Sequence, residues 1–349
     1  MILRARTVLA ELLIVSFVPL AADAWNRSPA NTFASLPPGE QHPEGITADA
    51  AGNLYVTTFD VAHPGRLGQL FVFRPSGQLI RQVSVAGSSN RLLDLAFHPT
   101  TGALLVLDFG GHQVLNVDPV TGGSAVFATI PGGAAAGPNV LTFDSVGNVY
   151  ISDSFQQTIW RTGPAGGAIA AWSTSPLLGT TGVPPFGANG LAFNKAQTAL
   201  FVANTGNDTI VKIPVTSGVG GPEAGTPAVF VNSINGPDGL IIDENDNIWV
   251  AANQADEIVV LNPSGRVIAK LGDFEGLGPN SAPRGLLFPA SLVRVGNFIY
   301  VTNLAIDLRL FDIPGHQTNG TIDSQWASEV VVHTIARINA HLPPVPGLP

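Results

Sequence analysis

"GPDGLIIDENDNIWVAAN", residues 236–253, is an apolar run, a turn of acids and asparagines, and a second apolar run. The same phrase recurs as "HPEGITADAAGNLYVTTFD" (42–60), "RLLDLAFHPTTGALLVLDF" (91–109), "GPNVLTFDSVGNVYISDS" (137–154), "GANGLAFNKAQTALFVANT" (187–205) and "APRGLLFPASLVRVGNFIYVTNL" (282–304). Aligned on one column, the six copies bring Glu44, Leu93, Asn139, Asn189, Asp238 and Arg284 into register, with spacings of 49, 46, 50, 49 and 46 residues. A period near 48 residues, with strand-like alternation and no helical periodicity between copies, predicts the blades of a propeller.

Each copy continues into further strands. "GQLFVFRPSG", "HQVLNVDPVTG", "QTIWRTGPAGG", "DTIVKIPVTSG" and "DEIVVLNPSGR" supply third strands that close in Pro, Gly or Ser turns, and "VVVHTIARI" (330–338) supplies the sixth. "TFASLPPG" (32–39), ahead of the first blade, copies the fourth-strand segment "AVFATIPGG" (125–133). The expected fold is therefore all-β, a six-bladed β-propeller spanning residues 25–349 as one domain. Its blades start near residues 42, 91, 137, 187, 236 and 282. An N-terminal strand (31–37) joins the last blade and removes the exposed edges.

Composition agrees and excludes several classes of function. A chain of 349 residues that is 45% hydrophobic and 12% charged, with 39 glycines and 28 prolines, suits many short strands joined by tight turns. No cysteine is present, so disulfides and thiolate chemistry are excluded. A net charge of -9 with only 16 Lys and Arg argues against a nucleic-acid surface. The N-terminus has a basic start with Arg4 and Arg6, an apolar stretch, and Ala22-Asp23-Ala24 as a small-x-small cleavage site. Residues 1–24 thus read as a signal peptide cut near Ala24, and the mature protein as secreted or periplasmic with no membrane span.

Propeller topology turns the aligned column into a ring, because the first strand of every blade lines the central channel. Glu44, Asn139, Asn189 and Asp238 then converge at one mouth as two carboxylates and two amide oxygens, without sulfur or histidine. This is a donor set for a hard divalent cation, calcium, magnesium or manganese. The bland alternative is a ring that binds channel water or caps turns. Long loops on the same face (59–68, 173–187, 272–283 and 304–330) mark that mouth as a binding cleft. Arg284, at the blade 6 position, is a candidate anchor for a substrate carboxylate or oxyanion, or a neutraliser of the ring's charge.

A second column of Asp49, His98, Asp144, Asn194, Asp243 and Pro289 reads as turn chemistry. A third, with Asp108, Asp153, Asn204 and Asn303 at the end of strand two, reads as hairpin caps, with Asp153 and Asn204 as candidates for orienting the metal ligands. His42, His63, His112 and His316 fall on or near loops of the site face, with no partner identified. No G-x-S-x-G elbow, H-E-x-x-H motif or phosphate loop is present.

"PEGI", "PNVLTFD", "ANGLAF" and "PDGLIID" resemble the blade-start motifs of the senescence marker protein/gluconolactonase/luciferin-regenerating-enzyme-like (SGL) family, with paraoxonases as more distant relatives. The resemblance spans roughly residues 30–338. It implies a divalent cation, commonly calcium or zinc, held by Glu44, Asn139, Asn189 and Asp238, with Asp238 also the general base that activates water against a lactone carbonyl. Leu93 stands where paraoxonases carry a histidine, so that histidine mechanism is not supported. The gluconolactonase sugar-binding loops find no match here. The expected activity is that of an exported metal-dependent lactonase or esterase acting on a small-molecule substrate. A non-catalytic propeller that binds a ligand or protein, and a strictosidine-synthase-like propeller without this metal set, are the alternatives.

Overall fold

A computed structural model describes residues 27–218, 221–310 and 322–342. The signal peptide expected over residues 1–24, His316 and the centre of the 304–330 loop lie outside the described residues. Among the described residues the strands form six antiparallel sheets in a six-bladed β-propeller, with a separate two-stranded hairpin and one short helix, Ile322–Ala327. The innermost strands are Pro43–Ala48, Leu92–Phe97, Pro138–Phe143, Ala188–Phe193, Pro237–Ile242 and Pro289–Val295. Blade 4 departs from the pattern: its third strand runs long (Thr209–Gly218) and pairs beyond the blade with Gly221–Ala224.

The ring closes as the repeat predicts. Asn31–Ser35 pairs antiparallel with Thr334–Asn339, Ser35 opposite Thr334 and Asn31 opposite Arg337. The last blade therefore takes its outer strand from the N-terminal part of the chain and its three inner strands from the C-terminal part. Ala34 from this strand and Leu36 just after it are buried with Val56, Phe71 and Phe73 of blade 1 and Ile335 of blade 6. Closure and core are one event.

Every inner strand carries the same irregularity. Register with the second strand slips by one residue between Pro43 and Ile46, Leu92 and Leu95, Pro138 and Leu141, Ala188 and Leu191, Pro237 and Leu240, and Pro289 and Leu292. A one-residue bulge kinks the strand and re-aims a side chain. The residue following each strand's first sits inside it, and this is the ring position. Hydroxyls fasten the bulges: Ser152 Oγ accepts from the Val140 amide at 2.9 Å, and Thr302 Oγ1 accepts from the Ser291 amide at 3.0 Å while donating to the Glu44 carbonyl of the next blade at 2.6 Å. Glycine follows the ring residue in three blades. A Cβ at Gly45 or Gly239 would strike the carbonyl of Leu93 or Ala290 in the neighbouring blade, so close approach of adjacent inner strands requires the bare backbone.

The turn column is structural. Asp49 accepts from the amides of Ala51 and Asn53, the Asn53 side chain and the Tyr55 hydroxyl. Asp144 and Asp243 repeat the arrangement in blades 3 and 5, with Tyr150 and Trp249 as the aromatic donors. His98 serves blade 2 differently, its Nε2 lying 2.9 Å from the Gly147 carbonyl of blade 3.

Candidate metal and catalytic site

Glu44, Asn139, Asn189 and Asp238 line a single cavity at the channel mouth, together with Leu93. They are 3 to 5% exposed, so the ring is shielded from bulk water.

The sixth ring position is not Arg284. Blade 6 begins at Pro289, and its bulge presents Ala290 where the other blades present Glu44 or Asp238. Arg284 lies in the hairpin Phe274–Leu277 with Pro283–Gly285, is exposed, and donates to the Glu275 carbonyl. It does not line the cavity. "PRG" imitates the "PDG" of blade 5, which drew the alignment six residues too early. The correcting signal is the narrow range of spans between the strands: Pro43 pairs with Thr58, Pro138 with Asp153 and Pro237 with Ala252 at 15 residues, Leu92 with Asp108 and Ala188 with Asn204 at 16, and Pro289 with Asn303 at 14. Pro289, aligned above with the turn acids, is accordingly the first residue of its inner strand.

Asp153 and Asn204 hold loops and do not touch the ring residues. Asp153 accepts from the Gly137, Phe155 and Gln156 amides and from Trp160 Nε1. Asn204 donates to the Leu177 and Gly179 carbonyls and accepts from the Asn207 amide. Each fixes a loop, and Asp153 fixes the one that leads into Asn139.

The residues that orient the ring stand one position further on, and the sequence reading passed over them. Ser154 Oγ donates to the Ala188 carbonyl at 2.7 Å and accepts from Asn139 Nδ2 at 3.2 Å. Thr205 Oγ1 repeats this in blade 4, donating to the Pro237 carbonyl at 2.8 Å and accepting from Asn189 Nδ2 at 3.0 Å. In blade 5 Asn253 Nδ2 donates to Asp238 Oδ2 at 3.0 Å. With both amide nitrogens held, oxygen is the free end of Asn139 and of Asn189. Those two Oδ1 atoms and Glu44 Oε2 are buried acceptors without a hydrogen-bond partner.

The charges point the same way. Burial pushes the Asp238 carboxyl up to about 7, against the pull of hydrogen bonds from Asn253 and Asn189. Burial, then the carboxylates of Asp238 and Asp94, hold Glu44 well above the ordinary carboxylate range. Asp94 sits in the inner strand one residue past Leu93 and accepts from the Leu141 amide of the next blade at 2.9 Å, and burial raises its carboxyl to about 7. Two buried acids and two unpartnered amide oxygens around one cavity match what a hard cation requires: oxygen donors, little competing hydrogen bonding, and negative charge to balance.

The loop histidines are elsewhere. His42 is buried and stacks edge-on against His333 at 4.7 Å, its Nδ1 2.9 Å from the Leu304 carbonyl, and burial lowers both imidazoles. His63 Nδ1 pairs with Asp60 at 2.9 Å. His112 is left with a buried Nδ1 that has no partner. None of the three lines the cavity.

Comparison with known proteins adds a family. The model of the "SMP-30/Gluconolactonase/LRE-like region" matches residues 96–272, half of the chain. The chain belongs to the SMP-30/gluconolactonase/LRE-like family. Solved structures similar to this family member include a luciferin-regenerating enzyme (14% identity, 88% of this chain and 94% of that one, TM-score 0.62). A calcium-binding protein, regucalcin, from Agrobacterium tumefaciens has 15% identity over 91% of this chain and 100% of that one, with a TM-score of 0.59. A gluconolactonase from Xanthomonas campestris has 15% identity over 80% and 93%, with a TM-score of 0.56. At these identities the likeness establishes the shared fold. No curated protein sequence matches the chain.

Proposed function

We propose that this family member is a metal-dependent hydrolase of lactones or related esters. The observation that carries the reading is the set of buried, unpartnered oxygens, Glu44 Oε2, Asn139 Oδ1 and Asn189 Oδ1, gathered in one cavity with the Asp238 carboxyl. Those four side chains would hold a divalent cation, calcium in first preference by the all-oxygen donor set, with zinc, magnesium or manganese as alternatives. Bound there, the cation would supply Lewis acidity toward a substrate carbonyl and the charge developing on its oxygen.

The chain's own part is water activation and exclusion. Asp238 is the general base: Asn253 fixes Oδ2 by its 3.0 Å hydrogen bond, and the other oxygen is the one to take a proton from water attacking the carbonyl. Phe59, Leu304 and Leu308 form a dry wall beside the ring that limits access to further water. The family match and the lactonase among the structural neighbours support this reading.

Purified protein analysed for metal and assayed on a panel of lactones and esters, with and without chelator, tests it. Stoichiometric cation and chelator-sensitive hydrolysis are expected. A protein that retains no cation and hydrolyses nothing in the panel sinks the proposal, and one that holds the cation without hydrolysis is a ligand-binding propeller. The N-terminal pattern adds a proposal of export. Expressed with its own N-terminus in a bacterial host, the protein should be recovered outside the cytoplasm with its sequence starting near Trp25. Recovery from the cytoplasm beginning at Met1 would refute it.

A further inference from the structure

The cavity has two chemically different halves, and they come from different blades. Blades 3, 4 and 5 contribute Asn139, Asn189, Thr205, Asp238 and Asn253, while blades 6, 1 and 2 contribute Phe288, Leu304, Phe59 and Leu93, with Glu44 the one polar residue on that side. The asymmetry repeats at both levels of the mouth. In the ring, blades 2 and 6 carry Leu93 and Ala290; one step out, at the end of the second strands, blades 3, 4 and 5 carry Ser154, Thr205 and Asn253 where blades 1, 2 and 6 carry Phe59, Phe109 and Leu304.

Two loop segments extend the apolar half over the ring. Residues 184–186 bring Pro184 and Phe186, and residues 304–308 bring Ile306 and Leu308, into the same lining. Among the described residues no lysine, arginine or histidine lines the cavity, and its carboxyls are those of Glu44 and Asp238.

We infer that the substrate is a neutral lactone or ester bearing an apolar chain or ring, and not a sugar lactone or a charged ester. This rests on the hydrolase reading for the reaction, but the pocket's preference for apolar matter stands on the lining alone. A polyhydroxylated ring would place hydroxyls against Phe59, Leu93, Leu304, Ile306 and Leu308, which offer no hydrogen-bond partner from their side chains, and each buried unpaired hydroxyl disfavours binding. A carboxylate or phosphate would meet two acids and, among the described residues, no side-chain cation. An alkyl group on the lactone ring gains contact with hydrocarbon on the blade 6, 1 and 2 side while the ester faces the acids and amides.

A homologous series tests this in two independent readouts. The first is kcat/KM of the metal-loaded protein for γ-butyrolactone and its γ-methyl, γ-propyl and γ-pentyl derivatives, beside glucono-δ-lactone. About a fourfold rise per buried methylene is expected, with glucono-δ-lactone below the γ-propyl compound. The second is calorimetric binding of 3-alkylcyclopentanones, in which a CH2 replaces the ring oxygen of the γ-alkyl lactones, leaving the carbonyl and the chain but no ester bond to cleave, and affinity should rise with chain length in the same way. Phe186→Ser and Ile306→Ser should each flatten both series, while the wild-type series stands whether or not a variant folds. Chain-dependent ketone binding without hydrolysis of any lactone supports this inference and overturns the hydrolase reading. Ketone affinity independent of chain length, or glucono-δ-lactone outperforming the alkyl lactones, overturns this inference and leaves the hydrolase reading in place.

Discussion

Asp238 and Asn253 form the pair on which the proposed chemistry turns. Asp238→Asn keeps the shape and the Gly239 approach but removes the base and one of the two charges facing the cation, so hydrolysis should fall by about 10²–10⁴-fold. Circular dichroism should show an unchanged fold, and a folded variant with full activity would remove Asp238 from the mechanism. Asn253→Ala leaves the acid in place and loses only the hydrogen bond to Oδ2. A loss of about 10–100-fold in activity or cation affinity is expected, measured as separate kcat and cation titrations; no change in either would make Asn253 a structural residue. The acids and amides of the ring were legible because each follows a Pro or Ala at the start of a repeated strand phrase, with Gly next in three of the four. Asn253 was not, since the equivalent positions carry Phe59, Phe109, Ser154, Thr205 and Leu304, and a column that mixes phenylalanine, leucine, hydroxyls and an amide has no pattern to align.

At the scale of elements, the strands and turn acids follow from alternation and from the recurring Asp ahead of its Gly-Asn or Asp-Asn turn, whereas contacts made by irregular segments do not. The helix Ile322–Ala327 is one such contact. It sets Asp323, whose buried Oδ2 has no partner, near Asp256 at the tip of a blade 5 hairpin. Asp256 accepts from the Phe288 amide at 2.7 Å just ahead of the blade 6 inner strand. Burial first, then the charges of Asp323, Asp273 and Glu257, raise its carboxyl to about 8, although Arg27 and Lys270 pair with Glu257 nearby. Burial raises Asp323 to about 6. An unfolded aspartate ionises near 3.9, so both states are protonated below about pH 4 and Asp256 then costs nothing. Between about pH 4 and 8 the unfolded chain gives up the proton and the folded one retains it, so stability falls as pH rises. Asp256→Asn, which can still accept from Phe288, should match wild type in melting temperature at pH 4 and exceed it by about 3 °C or more at pH 8. Parallel melting curves at both pH values would show that the acid is not held in this state.

The whole molecule depends on one long-range pairing that the repeat made legible: a spare fourth-strand phrase at the N-terminus and a last blade short of one. Asn31–Ser35 covers the edge of Thr334–Asn339, the Leu36 amide donates to the His333 carbonyl at 2.9 Å, and Phe33 packs edge-on against Tyr300 at 4.7 Å. Because the strand joins the beginning of the described chain to its end, no local contact can replace it. Removing residues 1–36 uncovers a strand edge and takes Ala34 and Leu36 out of the core, whereas removing residues 1–26 touches neither. The lost burial is on the order of 4 kcal/mol, or roughly 6 °C in melting temperature for a chain of this length. The longer truncation should therefore melt earlier and associate on size-exclusion chromatography through the freed edge, while the shorter one behaves as the full-length chain. A synthetic peptide of residues 27–40 added in trans should recover part of the difference by re-pairing with Thr334–Asn339. If the two truncations melt together and both run as one species, the six blades hold their ring without the strand, and closure by blades 1 and 6 packing directly is the stronger contact.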